Sequence, residues 1–158
     1  DTFTGYNNVN WWDYETNRPY AWLFNFSTAG ISTGVISMQV SMMNQDQSYY
    51  APRFWKAEWS FTQDMSAAAD SKWHLIKEFS VPDLSTWSNT LYSSSVGFKQ
   101  MNFALPLEIL GKDNVYIRIC PVNDLCSDGG DYANAHLNEK ESGTHSSSLE
   151  YFAIRYNK

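Results

Sequence analysis

The sequence predicts an all-β domain, built as an antiparallel β-sandwich. Long helical periodicity is nearly absent, and short runs rich in aromatic and β-branched residues recur between clusters of Ser, Asn, Asp, Gly and Pro. Apolar and polar residues alternate in residues 35–44 and 54–62, as expected of strands with one buried face. Seven or eight such strands with long loops fit two packed sheets of jelly-roll type, in one domain spanning residues 1–158.

The strand candidates are separated by loops and one helical turn. A change of step within residues 98–105 predicts a bulge or a later strand start. Pro106 suits the first position of a helical turn and Gly111 its C-terminal stop, whereas residues 64–72 form a hairpin loop or a short helix. The predicted strands are residues 20–26, 35–44, 54–62, 73–81, 98–105, 114–121 and 148–156.

Charge and hydropathy exclude several classes of partner. The formal net charge is −6, so a nucleic acid backbone is repelled and is not an expected partner. No apolar run is long enough to form a transmembrane segment. The chain begins at Asp1 without Met, and we expect it to be part of a larger secreted protein with companion domains.

Sequence motifs of common enzymes are missing. The chain contains no GxSxG, HExxH, CxxC or Gly-rich phosphate loop, and Asp13 and Glu15 stand in a turn-rich segment without a third carboxylate. We therefore predict that the protein is not an enzyme. A small polysaccharide lyase or glycoside hydrolase is the less favoured alternative.

Two loop features concern cysteine and metal chemistry. Cys120 and Cys126 flank a predicted turn, a spacing that permits a disulfide, and two separately buried thiols are the alternative. Asp124, Asp128 and Asp131 lie in an acidic, Gly-containing segment that suits a structural Ca²⁺ ion or forms an ordinary acidic turn. No other cofactor is predicted.

Aromatic residues give the strongest functional signal, since they make up 16% of the chain. Trp11, Trp12 and Tyr14 lie in a polar, turn-rich segment, where exposed rings suit the flat apolar faces of sugars. The alternative is that Trp11 or Trp12 closes the open end of the sandwich as a lid.

Further candidate ligand-binding residues lie in two other loops. Trp87 stands among Ser, Thr and Asn residues, and Tyr49 and Tyr50 precede an extended segment in which Arg53 is suited to bind a hydroxyl or an acidic sugar. The remaining tryptophans follow strand patterns and are assigned to the core: Trp22, Trp55, Trp59 and Trp73.

Four blocks carry a resemblance to a known family: RFWKAEWSFTQD, KWHLIKEFSVPD, FKQMNFALPLEILGKDNVYIRICP and SLEYFAIRYNK. They resemble the galactose-binding-like jelly-roll domains that accompany Ig-like modules in secreted or surface glycan-utilisation proteins of Bacteroidetes. The resemblance covers roughly residues 20–158 and implies a non-catalytic, extracytoplasmic module that often binds carbohydrate, sometimes with structural calcium. Its motif residues are mostly scaffold, and it implies no catalytic residue.

Together these observations predict a carbohydrate-binding module, secreted or at the cell surface, that holds a polysaccharide or oligosaccharide through aromatic loop residues. The alternative is a structural or protein-interaction β-sandwich domain of a surface protein, because Tyr and Trp are also enriched in protein interfaces.

Overall fold

The computed structural model describes residues 6–8, 11–44, 51–80, 98–127 and 147–157. These residues form an all-β antiparallel sandwich, which confirms the predicted fold class. Within these ranges, two 3₁₀ helices, Ala67–Lys72 and Leu107–Ile109, lie between strands. The strands are β1 (Tyr6–Asn8), β2 (Trp12–Asp13), β3 (Arg18–Pro19), β4 (Trp22–Phe26), β5 (Val35–Asn44), β6 (Ala51–Pro52), β7 (Phe54–Ser60), β8 (His74–Ser80), β9 (Phe98–Ala104), β10 (Val115–Pro121), β11 (Cys126–Ser127) and β12 (Ser147–Asn157).

Two four-stranded sheets build the sandwich. The first sheet has the order β1-β12-β5-β9 and the second the order β4-β10-β7-β8, with antiparallel neighbours throughout. Two short pairs, β2–β3 and β6–β11, lie outside these sheets. The chain crosses repeatedly from one sheet to the other, which is compatible with the jelly-roll connection, and that finer assignment stays a prediction.

The inner faces of the two sheets form one apolar core. In β5, every second residue from Ile36 to Val40 is almost fully buried, as the alternation predicts. Phe24 of β4 stacks on Phe152 of β12 with ring centroids 3.8 Å apart, so the two sheets are in direct contact. The second sheet contributes the buried side chains of Trp55, Ala57, Trp59, Val115, Ile117 and Ile119.

Bulges occur in strands other than the one expected to carry one. Strand β9 pairs with β5 without a register shift, so the bulge predicted in residues 98–105 is wrong. Instead, β12 shifts its register between Leu149 and Tyr151. The extra residue reverses the alternation, so that both Leu149 and Phe152 pack on the core.

Both helical segments are short 3₁₀ helices, as the turn signals predict. Pro106 directly precedes the first 3₁₀ residue, and Gly111 follows in a left-handed conformation with φ of 67°. The Thr28 hydroxyl donates a hydrogen bond to the Ile109 carbonyl and fixes this segment to the core. Within the described part of the chain, no helix is long and apolar enough to cross a membrane.

Candidate functional site

The hairpin of β2 and β3 is the first element of the candidate site. Trp12 pairs with Pro19, and the backbone N–H of Tyr20 donates to the carbonyl of Trp11 at 3.0 Å. Asn17 adopts a left-handed conformation with φ of 54°, which suits an Asn in a tight turn. The turn therefore closes without a glycine.

Asp13 holds the turn of this hairpin. Its carboxylate accepts hydrogen bonds from the Glu15 backbone N–H at 2.9 Å and from the Thr16 hydroxyl at 2.6 Å. The Thr16 hydrogen bond is the main reason why the pKa of Asp13 is lowered. Asp13, which lies in the turn-rich segment of the sequence, thus stabilises the turn of the hairpin through its carboxylate.

A cleft of about 570 Å³ opens between the hairpin and the outer face of the second sheet. Hairpin residues and Tyr20 form one wall, and Met65 and Asp70 belong to the other. Because the inner residues of β7 and β10 are in the core, their alternating neighbours point to the opposite face. That face provides the floor, which consists of Lys56, Glu58, Arg118 and Cys120.

The floor is a buried charge cluster. Glu58 and Arg118 are direct neighbours across β7 and β10, and each is only 7% exposed. The Arg118 Nε lies 2.6 Å from Glu58 Oε2, and the Lys56 Nζ lies 2.9 Å from Oε1. The Arg118 guanidinium also lies 4.5 Å from the ring centroid of Trp73. Glu58 therefore has a cationic partner on each carboxylate oxygen.

An ion pair between Arg18 and Asp70, called the latch below, joins the hairpin to the 3₁₀ helix Ala67–Lys72. Arg18 Nη1 lies 2.7 Å from Asp70 Oδ2, and Nη2 lies 2.8 Å from Oδ1. Nη2 also donates to the Met65 carbonyl at 2.8 Å. The Arg18 hydrogen bonds lower the pKa of Asp70. The latch thus ties the two walls of the cleft together.

Cys120 lies on the cleft floor with a free, buried thiol. Burial raises the pKa of this thiol to about 11. The disulfide with Cys126 is therefore not formed in this structure. The cause is topological, because Cys120 faces the cleft from β10, whereas Cys126 belongs to β11 and pairs with Pro52 of β6.

The structure separates the two neighbouring tryptophans of the predicted sugar-binding segment. The Trp11 ring is fully buried, with its centroid 4.4 Å from that of Trp22 and 4.8 Å from that of Trp55. The prediction that Trp11 contacts the ligand is therefore wrong, and the alternative that its ring closes the core agrees with the structure. Trp12 is partly buried and lines the cleft, and its indole N–H donates to Asn17 Oδ1 at 3.2 Å. Tyr14, on the hairpin turn, is 45% exposed.

Arg53 and Asp124, two further predicted site residues, do not line this cleft. The backbone N–H of Arg53 donates to Leu125, and its guanidinium lies 5.3 Å from the Phe54 ring centroid. Asp124 lies in the bend after β10. Five predicted residues lie outside the described residues: Tyr49, Tyr50, Trp87, Asp128 and Asp131. Among the residues that are described, no group of three or more His, Cys, Asp or Glu side chains is placed to hold a metal ion.

Sequence analysis missed most of the residues that build the cleft. The sequence placed Lys56 and Glu58 on the polar face of a strand, Arg18 in the N-terminal turn-rich segment, and Asp70 in a hairpin loop or a short helix. Trp73 is buried as predicted, but it lies under Arg118 and outside the main core cluster. The available signal was the occurrence of opposite charges in two predicted strands, Glu58 in an alternating run and Arg118 in an otherwise apolar one.

Comparison with known proteins adds no assignment, because neither the protein-family models nor the curated proteins include a match to this chain.

Proposed function

We propose that the protein is a non-catalytic carbohydrate-binding module whose glycan site is the cleft under the β2–β3 hairpin. One observation carries the proposal. Tyr20 is 50% exposed at a cleft whose floor and walls present charged hydrogen-bonding groups that are already held in place by ion pairs.

This combination matches the surface of a sugar. The Tyr20 ring offers an apolar face to sugar C–H groups, and each well-placed ring contributes about 1 kcal/mol. The ammonium of Lys56 and the carboxylates of the cleft suit the hydroxyls around the ring. With few such contacts, we expect dissociation constants between about 1 mM and 1 μM, equivalent to about −4 to −8 kcal/mol.

The carboxylates of the cleft support a binding role over hydrolysis. A glycosidase acid needs a raised pKa so that it is protonated at neutral pH. The pKa values of Asp13 and Asp70 are instead lowered, by Thr16 and by Arg18 respectively. Both groups therefore suit acceptors of sugar hydroxyls and are poor proton donors.

The family resemblance and the location belong to the same proposal. An all-β sandwich is the fold expected of the galactose-binding-like domains that the sequence resembles. We therefore keep membership of that family, an extracytoplasmic location and a structural calcium ion as proposals.

Binding to a panel of immobilised polysaccharides and oligosaccharides tests the proposal. We expect the wild type to bind at least one glycan and Tyr20→Ala to weaken that binding by about fivefold, the equivalent of one ring contact. Tyr151→Ala is the matched control, because Tyr151 is a partly buried tyrosine on the first sheet, away from the cleft. Circular dichroism melts establish that each variant is folded. Equal binding by wild type and Tyr20→Ala would exclude this cleft.

A protein-interaction domain is the second candidate. Phe61, Met65 and Leu75 are exposed apolar side chains around the connection from β7 to β8. Exposed apolar residues of this kind favour contact with another protein. This candidate gains support from two results together. No glycan binds, and light scattering shows that the wild type self-associates with increasing concentration whereas Phe61→Ser does not.

A further inference from the structure

The Arg118 guanidinium has hydrogen-bonding capacity that the described residues do not use. Its side chain is 8% exposed and lines the cleft. Towards the described residues, Nε alone forms a hydrogen bond, to Glu58, and Asp70 Oδ1 is 3.7 Å from Nη2, beyond hydrogen-bonding distance. Among the described residues, none places an acceptor within hydrogen-bonding distance of Nη1 or Nη2.

A buried guanidinium with unused donors points to an acceptor that comes from outside. Buried polar groups in folded proteins are nearly always hydrogen-bonded, and leaving them unpaired is unfavourable. The cation–π contact with Trp73 and the Nε hydrogen bond to Glu58 hold the guanidinium on the cleft floor in the absence of a ligand.

Lys56 adds a second set of unused donors on the same floor. Its ammonium has three N–H groups, and in the described structure it makes one hydrogen bond, to Glu58. The floor has two cations against one carboxylate, a local excess of one positive charge. Over the whole cleft the charges balance, because the carboxylates of Asp13 and Asp70 offset the charge of Arg18 and the excess positive charge of the floor.

We propose that the cleft recognises a glycan bearing an isolated anionic substituent, a carboxylate or a sulfate, bound by Arg118 Nη and Lys56 Nζ. This inference rests on the proposed carbohydrate-binding function and names its ligand class. Arginine and lysine bind such oxygens through charge-assisted hydrogen bonds. A continuous polyanion fits less well, since the chain has a net charge of −6 and the local excess is a single charge.

The experiment measures affinities for matched acidic and neutral ligands by isothermal titration. The probes are the methyl glycosides of galacturonate, glucuronate and mannuronate, each with a single carboxylate, beside their methyl esters, which remove the charge and keep the sugar. Galactose 6-sulfate beside galactose distinguishes sulfate from carboxylate. We expect the wild type to bind one acidic member at least about tenfold more tightly than its neutral counterpart.

Substitutions then locate the preference. Lys56→Gln should reduce the acid-to-ester ratio to about threefold or less, and Lys56→Arg should restore most of it. Lys77→Gln removes the same charge from β8, outside the cleft, and should leave the ratio unchanged. Thermal melts confirm folding, and Arg118 is left intact because Glu58 depends on it.

The outcomes separate this inference from the function on which it rests. Equal binding of acid and ester, binding of neutral glycans alone, or a preference that survives Lys56→Gln each overturns the inference while glycan binding stands. Absence of binding to every glycan overturns both.

Discussion

The two faces of the second sheet are both buried, but by different chemistry. On the inner face, Trp55 and Ile117 pack in an apolar core against the first sheet. On the outer face, Glu58 and Arg118 are buried as an ion pair beneath the hairpin and the latch. The contrast shows that alternation along a strand sets the direction of a side chain, whereas its exposure depends on what covers that face.

The largest loss of stability is expected from a substitution in the apolar core on the inner face. Trp55→Ala removes a fully buried ring that contacts Trp11 and Trp22, and it should lower the free energy of unfolding by about 3 to 5 kcal/mol. Urea denaturation measures the loss. Leu107→Ala, at an exposed position, is the control and should change stability by less than about 0.5 kcal/mol. A similar loss in both variants would contradict the assignment of the core.

Removing one partner of the ion pair on the outer face should lower the free energy of unfolding slightly less. Arg118→Met leaves the buried Glu58 carboxylate with Lys56 as its one remaining cation among the described residues, and we expect a loss of about 3 kcal/mol. The double variant Glu58→Met/Arg118→Met should recover most of it, because no buried charge is then unpaired. Urea denaturation of the single and double variants tests this. A single variant as stable as the wild type would show that the outer face is not tightly buried.

The burial of the outer face can be tested through the pH dependence of stability, because the Cys120 thiol lies on that face. Its folded pKa, about 11, lies above the ordinary value of 9.0, so the folded state is stabilised below pH 9 and loses this advantage as pH rises toward 11. The loss from this group should be about 2 kcal/mol at pH 11.

The measurement compares unfolding free energies at pH 8 and pH 11. The Cys126→Ser variant serves as the reference. Between pH 8 and pH 11, the Cys120→Ala/Cys126→Ser variant should lose about 2 kcal/mol less of its unfolding free energy than the reference does. Identical pH dependence in the two proteins would mean that the thiol is accessible to solvent.

The smallest loss of stability is expected from removal of the latch between Arg18 and Asp70. Asp70 is 47% exposed in its side chain, so Arg18→Gln should lower the free energy of unfolding by only about 1 kcal/mol at pH 7. Because the pKa of Asp70 is lowered in the folded state, this contribution is present above the ordinary value of 3.8 and disappears as the pH falls below it. Denaturation at pH 7 and pH 2.5 checks this, and a difference that persists at pH 2.5 would contradict an ionic latch.

The sequence was sufficient for the seven long strands, but not for the short strands β1, β2, β3, β6 and β11 or for the site. Seven predicted strands agree with the structure to within about two residues at each end, because alternation and turn residues are local signals. The sequence left open whether Trp11 binds ligand or closes the sandwich, because its burial depends on Trp22 and Trp55 of other strands. The latch joins Arg18 and Asp70 across 52 residues, and no local pattern reveals such a contact.

The latch also determines how freely the hairpin moves. Two parallel hydrogen bonds between a planar guanidinium and a planar carboxylate restrict rotation as well as separation, and the Met65 carbonyl provides a third point. Under the proposed function, a glycan that enters the cleft meets walls that are already ordered, and its affinity is reduced little by the conformational entropy of the hairpin. Such preorganisation favours the proposed binding although Tyr20 is the one strongly exposed aromatic ring among the described residues that line the cleft.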